Sequence, residues 1–379
     1  MVGLSRLGAQ LKEMRDKLSG LGALASLGGG GSFLGLSIGT SSVKLVELRR
    51  TRKLWKMQQF GMAPLPEDAI VNRELVNTVA ITDAIGRLVN QLGLKGRPVC
   101  ASITGPSMII KRLLVQAPNA KELREQVFWE AEQYLPFDVS EVAMDFQPLS
   151  RGPIKDGQHD VLLIAVKRTV LESYMAAISE AGLKPQVIDT DYFALHNLFE
   201  VNYPQSGREA VALVEVGASA TKFVVVQDGF PIYTKDAAHG GAQLTQDIQR
   251  SLNISRADAE SLKTGGVAGG LPQEVSELMA AAAENLASEL RKMVDYYNSA
   301  SAGAPLSSML LTGGGSSLQD LSRLVEEAVG FPAQLLNPFN AIGFDPAVLS
   351  PAYVASIAPF ASVPLGLALR AGTPAGGSG

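Results

Sequence analysis

Three short runs in this chain combine glycine with small hydroxyl residues, the composition that an anion-binding turn requires. Gly39, Thr40, Ser41 and Ser42 follow one apolar stretch, and Gly217, Ala218, Ser219, Ala220 and Thr221 follow another. Small side chains let consecutive backbone N–H groups point at a single anion, and the hydroxyls add donors. Lys44 and Lys222 stand at similar offsets, where an ammonium helps to neutralise a polyphosphate. Either turn alone is also what an ordinary β-hairpin looks like. The third run lies in MLLTGGGSSLQDL, where Gly313, Gly314 and Gly315 end a strand-like stretch and Ser316 and Ser317 open a helical one. One glycine suffices for such a connection, so three in a row read as close approach of a ligand to the backbone. Three such runs in one chain favour a phosphate-bearing ligand over three unrelated turns.

The elements that must position these runs alternate between two periods. Strand-like stretches are Phe33–Ile38, Val43–Leu48, Leu54–Gly61, Val99–Ile103, Ile109–Val115, Val161–Val166, Val211–Val216, Lys222–Val226 and Ser308–Leu311. Helical periodicity marks Ile81–Leu92, Lys121–Tyr134, Leu171–Ala181, Leu244–Leu252, Val275–Asn298 and Leu318–Val329. The mixture predicts an α/β fold. A strand, small-residue turn and strand occur in SFLGLSIGTSSVKLVEL and again in VALVEVGASATKFVVVQDG, about half a chain apart, which predicts two related lobes with one phosphate-facing hairpin each.

Composition narrows the function classes. The 379 residues are 46% hydrophobic and 18% charged, enough apolar material for two ordinary cores, and the formal charge of −4 comes without a basic, aromatic-studded stripe for nucleic acid. The lone Cys100 forms no intrachain disulfide and fits a reducing compartment. His159, His196 and His239 are scattered without metal-ligand spacing, and no nucleophile elbow is present. Leu4, Leu7, Leu11, Met14, Leu18 and Leu21 recur at steps of three and four. That stripe suits docking on the body or a partner helix better than a membrane surface, since it carries no aromatic anchor. Gly28 to Ser32 reads as a flexible linker and AGTPAGGSG as a disordered tail. The uncharged stretch from Pro346 to Leu369 is long enough to cross a bilayer, but Pro346, Pro351, Pro359 and Pro364 break it, and a buried loop and helix is the expectation.

The order and residues of the glycine runs resemble the phosphate-1, phosphate-2 and adenosine motifs of the actin, Hsp70 and sugar-kinase superfamily. Within it, WEAEQYLPFDVSEVAMDFQPL from Trp129 to Leu149 resembles the inserted small subdomain of PilM proteins of type IV pilus assembly, relatives of FtsA. GGAQLTQDIQRSLNISRADAESLK, LNPFNAIGFDP and PLGLALR resemble the same family. The resemblance, from about Phe33 to Ala371, implies a two-lobed, ribonuclease H-like fold. Residues 1–32 would be an N-terminal helix and linker, 33–98 and 169–200 the first lobe with the lobe connection, and 99–168 the inserted subdomain. Residues 201–340 would form the second, nucleotide-binding lobe, 341–371 a return to the first, and 372–379 the tail.

By position, the resemblance implies that Gly39, Thr40, Ser41, Ser42 and Lys44, with Gly217, Ala218, Ser219 and Thr221, face the phosphates of ATP or ADP. Glu260 and Lys263 would contact ribose and adenine, and Gly313, Gly314, Gly315 and Ser316 would line the adenosine pocket. It further implies a scaffold at the cytoplasmic face of the inner membrane that binds the N-terminal peptide of PilN, with Tyr134, Pro136 and Phe137 as wall residues. Other inner-membrane pilus components, motor ATPases, a homo-oligomeric ring and membrane association through partners belong to the same expectation. Two departures bear on chemistry. Ser37 stands where the superfamily usually carries an aspartate, and Glu215 replaces the second, so Mg2+ would be held by Glu215 displaced or through water. Weak or absent hydrolysis is therefore expected, with Ser37→Asp, alone or with Glu215→Asp, raising Mg2+ affinity or turnover. Asp189 and Asp191 in IDTDYFALHNLF are weak catalytic candidates that N-capping explains equally well. An active ATPase and an FtsA-like filament former are the alternatives. The linker yields a test: deleting residues before Phe33 should leave the rise in melting temperature caused by ATP intact, and its loss would place the N-terminal segment in the core.

Overall fold

In the computed structural model the described residues are 31–51, 54–149, 154, 157–203, 209–265, 270–300 and 303–371. The Leu4–Leu21 stripe, most of the expected linker and the 372–379 tail lie outside them. The chain begins with a meander of β1 (Ser32–Ile38), β2 (Ser42–Thr51) and β3 (Leu54–Pro64). A small hairpin of β4 (Ile70–Val71) and β5 (Glu74–Leu75) leads to α1 (Thr78–Leu92) and β6 (Pro98–Ile103). Next come β7 (Met108–Gln116), α2 (Ala120–Ala131), β8 (Val142–Pro148) and β9 (Gln158–Lys167). The first half closes with α3 (Arg168–Glu180), β10 (Lys184–Thr190) and α4 (Asp191–Asn202).

The second half repeats the plan. It runs through β11 (Ala210–Val216), β12 (Thr221–Gln227), β13 (Phe230–Ala237), α5 (Gly241–Leu252), α6 (Arg256–Lys263) and α7 (Gln273–Ala300). It ends with β14 (Leu306–Thr312), α8 (Leu321–Val329), β15 (Ala333–Leu335), β16 (Ile342–Phe344) and α9 (Pro351–Ala371). One sheet has the order β10-β6-β1-β2-β3-β16 and the other β13-β12-β11-β14-β15. Read from β3 and from β13, each is an antiparallel three-stranded meander continued by two parallel strands. The repeat visible in the sequence is thus a repeat of topology.

Alternation along the strands divides the first sheet between two cores. Leu34, Leu36, Val43 and Leu45 meet α1 and α3 through Ile81, Ile85, Tyr174 and Ile178. Val46, Leu48 and Met57 point the other way, into a core that holds α4 and α9 and also takes Leu213, Val224 and Leu310 from the second sheet. Those two helices therefore lie between the sheets and join the lobes. The outer face of the second sheet packs on α7 and α8 through Leu286, Leu290, Tyr297 and Val325. A separate three-stranded sheet, β7-β9-β8, is covered by α2, whose Leu123, Val127 and Ala131 bury Leu113, Val115 and Leu163.

Two expectations change. β6 is an inner strand of the first sheet, paired with β1 and β10, so the separate layer starts at Met108 and not at residue 99. Pro359 and Pro364 do not break the last helix: α9 is continuous over 21 residues. Each proline removes one helical hydrogen bond, and burial from Ala361 to Leu369 between the sheets outweighs the loss. Among the described residues α9 is the one helix long and apolar enough to cross a bilayer, and most of it is buried in the protein.

The seam is tight at two glycines. A Cβ on Gly35 would lie 1.9 Å from the Pro364 carbonyl oxygen, and one on Gly366 would lie 1.8 Å from that of Ala194. Both obstacles are backbone, which cannot rotate aside. Gly366→Ala is expected to cost about 3 kcal/mol or more, the upper range of overpacking, read as a lowered midpoint in urea. An unchanged midpoint would show that the helices separate freely.

Candidate functional site

The first two glycine runs are built alike. Ile38 and Val43 close the β1–β2 hairpin, and Gly39 N–H donates to the Ser42 carbonyl at 3.0 Å. Val216 and Thr221 close the β11–β12 hairpin, and Gly217 N–H donates to the Ala220 carbonyl, also at 3.0 Å. The turns face each other across the interlobe cleft, where Thr40 Oγ1 donates to Ser219 Oγ at 3.0 Å. Thr221 itself is buried and donates to the His239 carbonyl at 2.8 Å, so it braces the turn from behind.

Equivalent positions in the two hairpins pair across the strands: Ser37 opposes Lys44, and Glu215 opposes Lys222. Opposed residues share one face of the sheet, and all four line the cavity between the turns together with Arg73 and Asp191. The two lysines have different fates. Lys222 Nζ lies 2.6 Å from Asp191 Oδ2 and 2.7 Å from Glu215 Oε2. Burial pulls this ammonium down, but Asp191 and Glu215 override it and hold it above its ordinary value. Lys44 faces a serine and, among the described residues, has no hydrogen-bond or ion-pair partner. Burial lowers it, the carboxylate of Glu215 partly offsets that, and Lys222 pushes the same way as burial. Its ammonium sits against the first turn, 3.5 Å from where a Cβ on Gly39 would be.

Val216, between Glu215 and Gly217 of this cavity, lines a second, mainly apolar one. That pocket lies between the start of α5 (Gly240, Gly241, Leu244), α7 (Leu278, Ala282, Asn285) and Gly315 with Leu318. A polar cavity with the cationic Lys44 beside an apolar slot fits a phosphorylated nucleoside. The glycines of the third run have structural neighbours of their own. A Cβ on Gly313 or Gly315 would strike Val216, and one on Gly314 would strike the Phe360 ring. Close packing thus accounts for all three, and Gly315 alone of them lines the pocket. Ser316 is buried and donates to the Gly313 carbonyl at 2.7 Å. Glu260 and Lys263 sit behind the pocket. Lys263 Nζ reaches Thr245 Oγ1 and Glu260 Oε1, each at 2.7 Å, and the Gly241 carbonyl at 3.2 Å, so they hold the start of α5 in place.

The aspartates separate. Asp191 lines the cavity with both oxygens engaged, Oδ1 accepting from Ser102 Oγ and Oδ2 from Lys222. Asp189 lies away from it, 3.6 Å from Arg370 Nε, and burial raises its carboxyl to about 6. Neither caps the helix: the N-cap of α4 is Thr190, whose hydroxyl accepts from Phe193 N–H. Arg73 and Ser102 are site residues that no motif announced. Arg73 sits at the tip of the β4–β5 hairpin and pairs with Asp236 of the second lobe, which also accepts from Tyr192 Oη.

For a divalent ion the donors fit poorly. The expected metal carboxylate, Glu215, is already bonded to an ammonium, as is Asp191, and no described group of three His, Cys, Asp or Glu side chains could hold a metal.

The profile of the type IV pilus assembly protein PilM family matches residues 35–372. The chain belongs to the PilM family. The structure is similar to a chain of a solved PilM-PilN type IV pilus biogenesis complex, at 27% identity and a TM-score of 0.79, covering 90% of this chain and 99% of that one. The cell division protein FtsA of Bacillus subtilis is 22% identical over 259 residues, which span 61% of this chain and 57% of FtsA. The ethanolamine utilization protein EutJ of Carboxydothermus hydrogenoformans shares the fold at a TM-score of 0.53 and 13% identity, covering 89% of this chain and 90% of EutJ. The duplicated sheets are thus those of a two-lobed actin-like fold.

The cross-strand register reverses the expectation attached to position 37 of this PilM-family chain. A carboxylate introduced there would face Lys44 as Glu215 faces Lys222, and would neutralise its ammonium. Ser37→Asp is expected to weaken ATP binding by about tenfold, the effect of one lost charge-assisted contact of about 1.4 kcal/mol, measured by isothermal titration in excess Mg2+. Tighter binding or gained turnover would restore the metal-orienting role of that position.

Proposed function

We propose that this chain is a nucleotide-holding scaffold of the type IV pilus assembly platform, at the cytoplasmic face of the inner membrane, and that it binds the N-terminal cytoplasmic peptide of PilN. The observation that carries the nucleotide half is the opposition of two identically built turns, bridged by Thr40 and Ser219, over an unpartnered Lys44. ATP or ADP held there touches both lobes and favours the closed form. Hydrolysis is negligible in this reading. Asp191 already accepts from Ser102 and Lys222, one at each oxygen, which weakens it as a base for an attacking water.

The partner half rests on the small sheet. Tyr134 and Pro136 are exposed in the turn that follows α2, and Phe137 is half-buried beside them. The Lys111 ammonium stands 3.6 Å above the Tyr134 ring, and the Lys167 ammonium 4.2 Å above that of Phe137. Such aromatic faces offer anchoring area, and β8, paired only with β9, offers an open edge to an extended peptide. The similarity to a PilM-PilN complex supports PilN as the source of that peptide. Other inner-membrane components, the motor ATPases, a ring of copies and peripheral membrane association complete the proposal.

The test titrates a synthetic PilN N-terminal peptide with and without ATP. Nucleotide should raise the melting temperature, the peptide should bind, and Tyr134→Ala should weaken peptide binding by about tenfold while leaving the ATP-dependent shift in place. Absence of peptide binding overturns the partner half. Single-turnover hydrolysis of labelled ATP on the order of 1 per second would replace the scaffold with an ATPase.

A further inference from the structure

The two hairpins are duplicates in backbone and register but not in charge. In the first, Lys44 faces Ser37 and has no hydrogen-bond or ion-pair partner among the described residues. In the second, Glu215 and, from the start of α4, Asp191 close on Lys222 from two sides at 2.7 and 2.6 Å. These three side chains are 14%, 8% and 12% exposed respectively, so water contributes little to their balance. Asp191 is fixed further by Ser102 from β6, a strand in the middle of the first sheet. Two desolvated carboxylates beside a polyphosphate would repel it unless a cation stood between them. In many nucleotide sites that cation is a hydrated divalent ion, whose waters the carboxylates orient. Here the position between the carboxylates is filled by the chain's own ammonium. Among the charged side chains of the cavity, Arg73 is paired with Asp236 and Lys222 with Asp191 and Glu215, so Lys44 is the cation left to meet an anion.

We propose that Lys222 is a built-in counterion, so that the phosphate end of the cleft binds ATP and ADP with an affinity that does not depend on a divalent metal. This rests on the nucleotide reading above and refines it. Lys44 and the backbone of the two turns hold the phosphates, while Lys222 does for Asp191 and Glu215 what a metal would otherwise do. The ammonium carries one charge where the ion carries two, and Ser37, opposite Lys44, adds no further carboxylate to be compensated.

The experiment measures the dissociation constants of ATP and ADP for the native chain by isothermal titration, once in excess Mg2+ and once in excess EDTA. The expected ratio is below about tenfold, that is, below about 1.4 kcal/mol. A ratio of about tenfold or more, with binding lost in EDTA, overturns the counterion proposal and leaves the nucleotide reading standing. Absence of binding in both buffers instead overturns the nucleotide reading itself. Lys222→Met, checked for folding by circular dichroism, should bring the ratio above about tenfold, because Asp191 and Glu215 then face the phosphates uncompensated. A ratio that stays flat in that variant shows that Lys222 is not the counterion. Should Lys222→Met fail to fold, the native titration decides alone.

Discussion

The contact on which everything else depends is the burial of α9 and α4 between the two sheets. At Gly35 against Pro364, and at Gly366 against Ala194, backbone meets backbone with no room for a methyl group. Contacts at that distance do not deform gradually, since interiors pack as densely as molecular crystals. The seam sets where β1 ends relative to β11, and hence the separation of the turns that follow them. Gly313 N–H donates to the Pro359 carbonyl on α9 at 3.0 Å, so the third glycine turn is referred to the same helix. One apolar interface positions all three turns.

Once placed, the hairpins differ in what stands opposite each lysine. That difference governs the chemistry, because an ammonium between two buried carboxylates is committed and one facing a serine is not. Breaking a committed, desolvated pair would leave a buried charge without compensation, which keeps Asp191 from acting as a base as firmly as it keeps Lys222 in place. Among the described residues the site thus offers one free ammonium, Lys44, and one that is held, Lys222.

Much of this was legible in the sequence, for reasons that are local. Gly39 to Ser42 and Gly217 to Thr221 announce their hairpins because turn chemistry is written in a few consecutive residues. The repeat announces two lobes because each sheet is laid down almost contiguously. What could not be read depends on register and on partners far along the chain. Nothing in the spacing of residues 37, 44, 215 and 222 says that they oppose one another in pairs, or that Asp191 reaches Lys222 while Asp189 turns toward Arg370. The third run misled for the opposite reason. Three glycines looked like surplus for a turn, yet Val216 and the Phe360 ring press on them from positions that no local pattern reveals. The prolines of α9 misled likewise, since propensity yields where burial on both sides is this extensive.

The short β4–β5 hairpin links the cleft to the small sheet. Arg73 lines the phosphate cavity and pairs with Asp236 of the second lobe, and its neighbour Glu74 accepts from Ser107 Oγ at 2.7 Å. Ser107 lies between β6 and β7, where the small sheet leaves the first lobe, and its carbonyl accepts from Lys167 N–H at 3.1 Å, where that sheet returns. Both strands that tether the small sheet are therefore pinned at one point, one residue away from a side chain in the cleft. Arg73 has a positive φ of 65° and its carbonyl crowds Gly105, so this hairpin has little freedom to shift independently. The interlobe cavity, the second lobe and the root of the small sheet thus share a two-residue anchor point, and a rigid connection between them follows from packing without any long chain of intermediates.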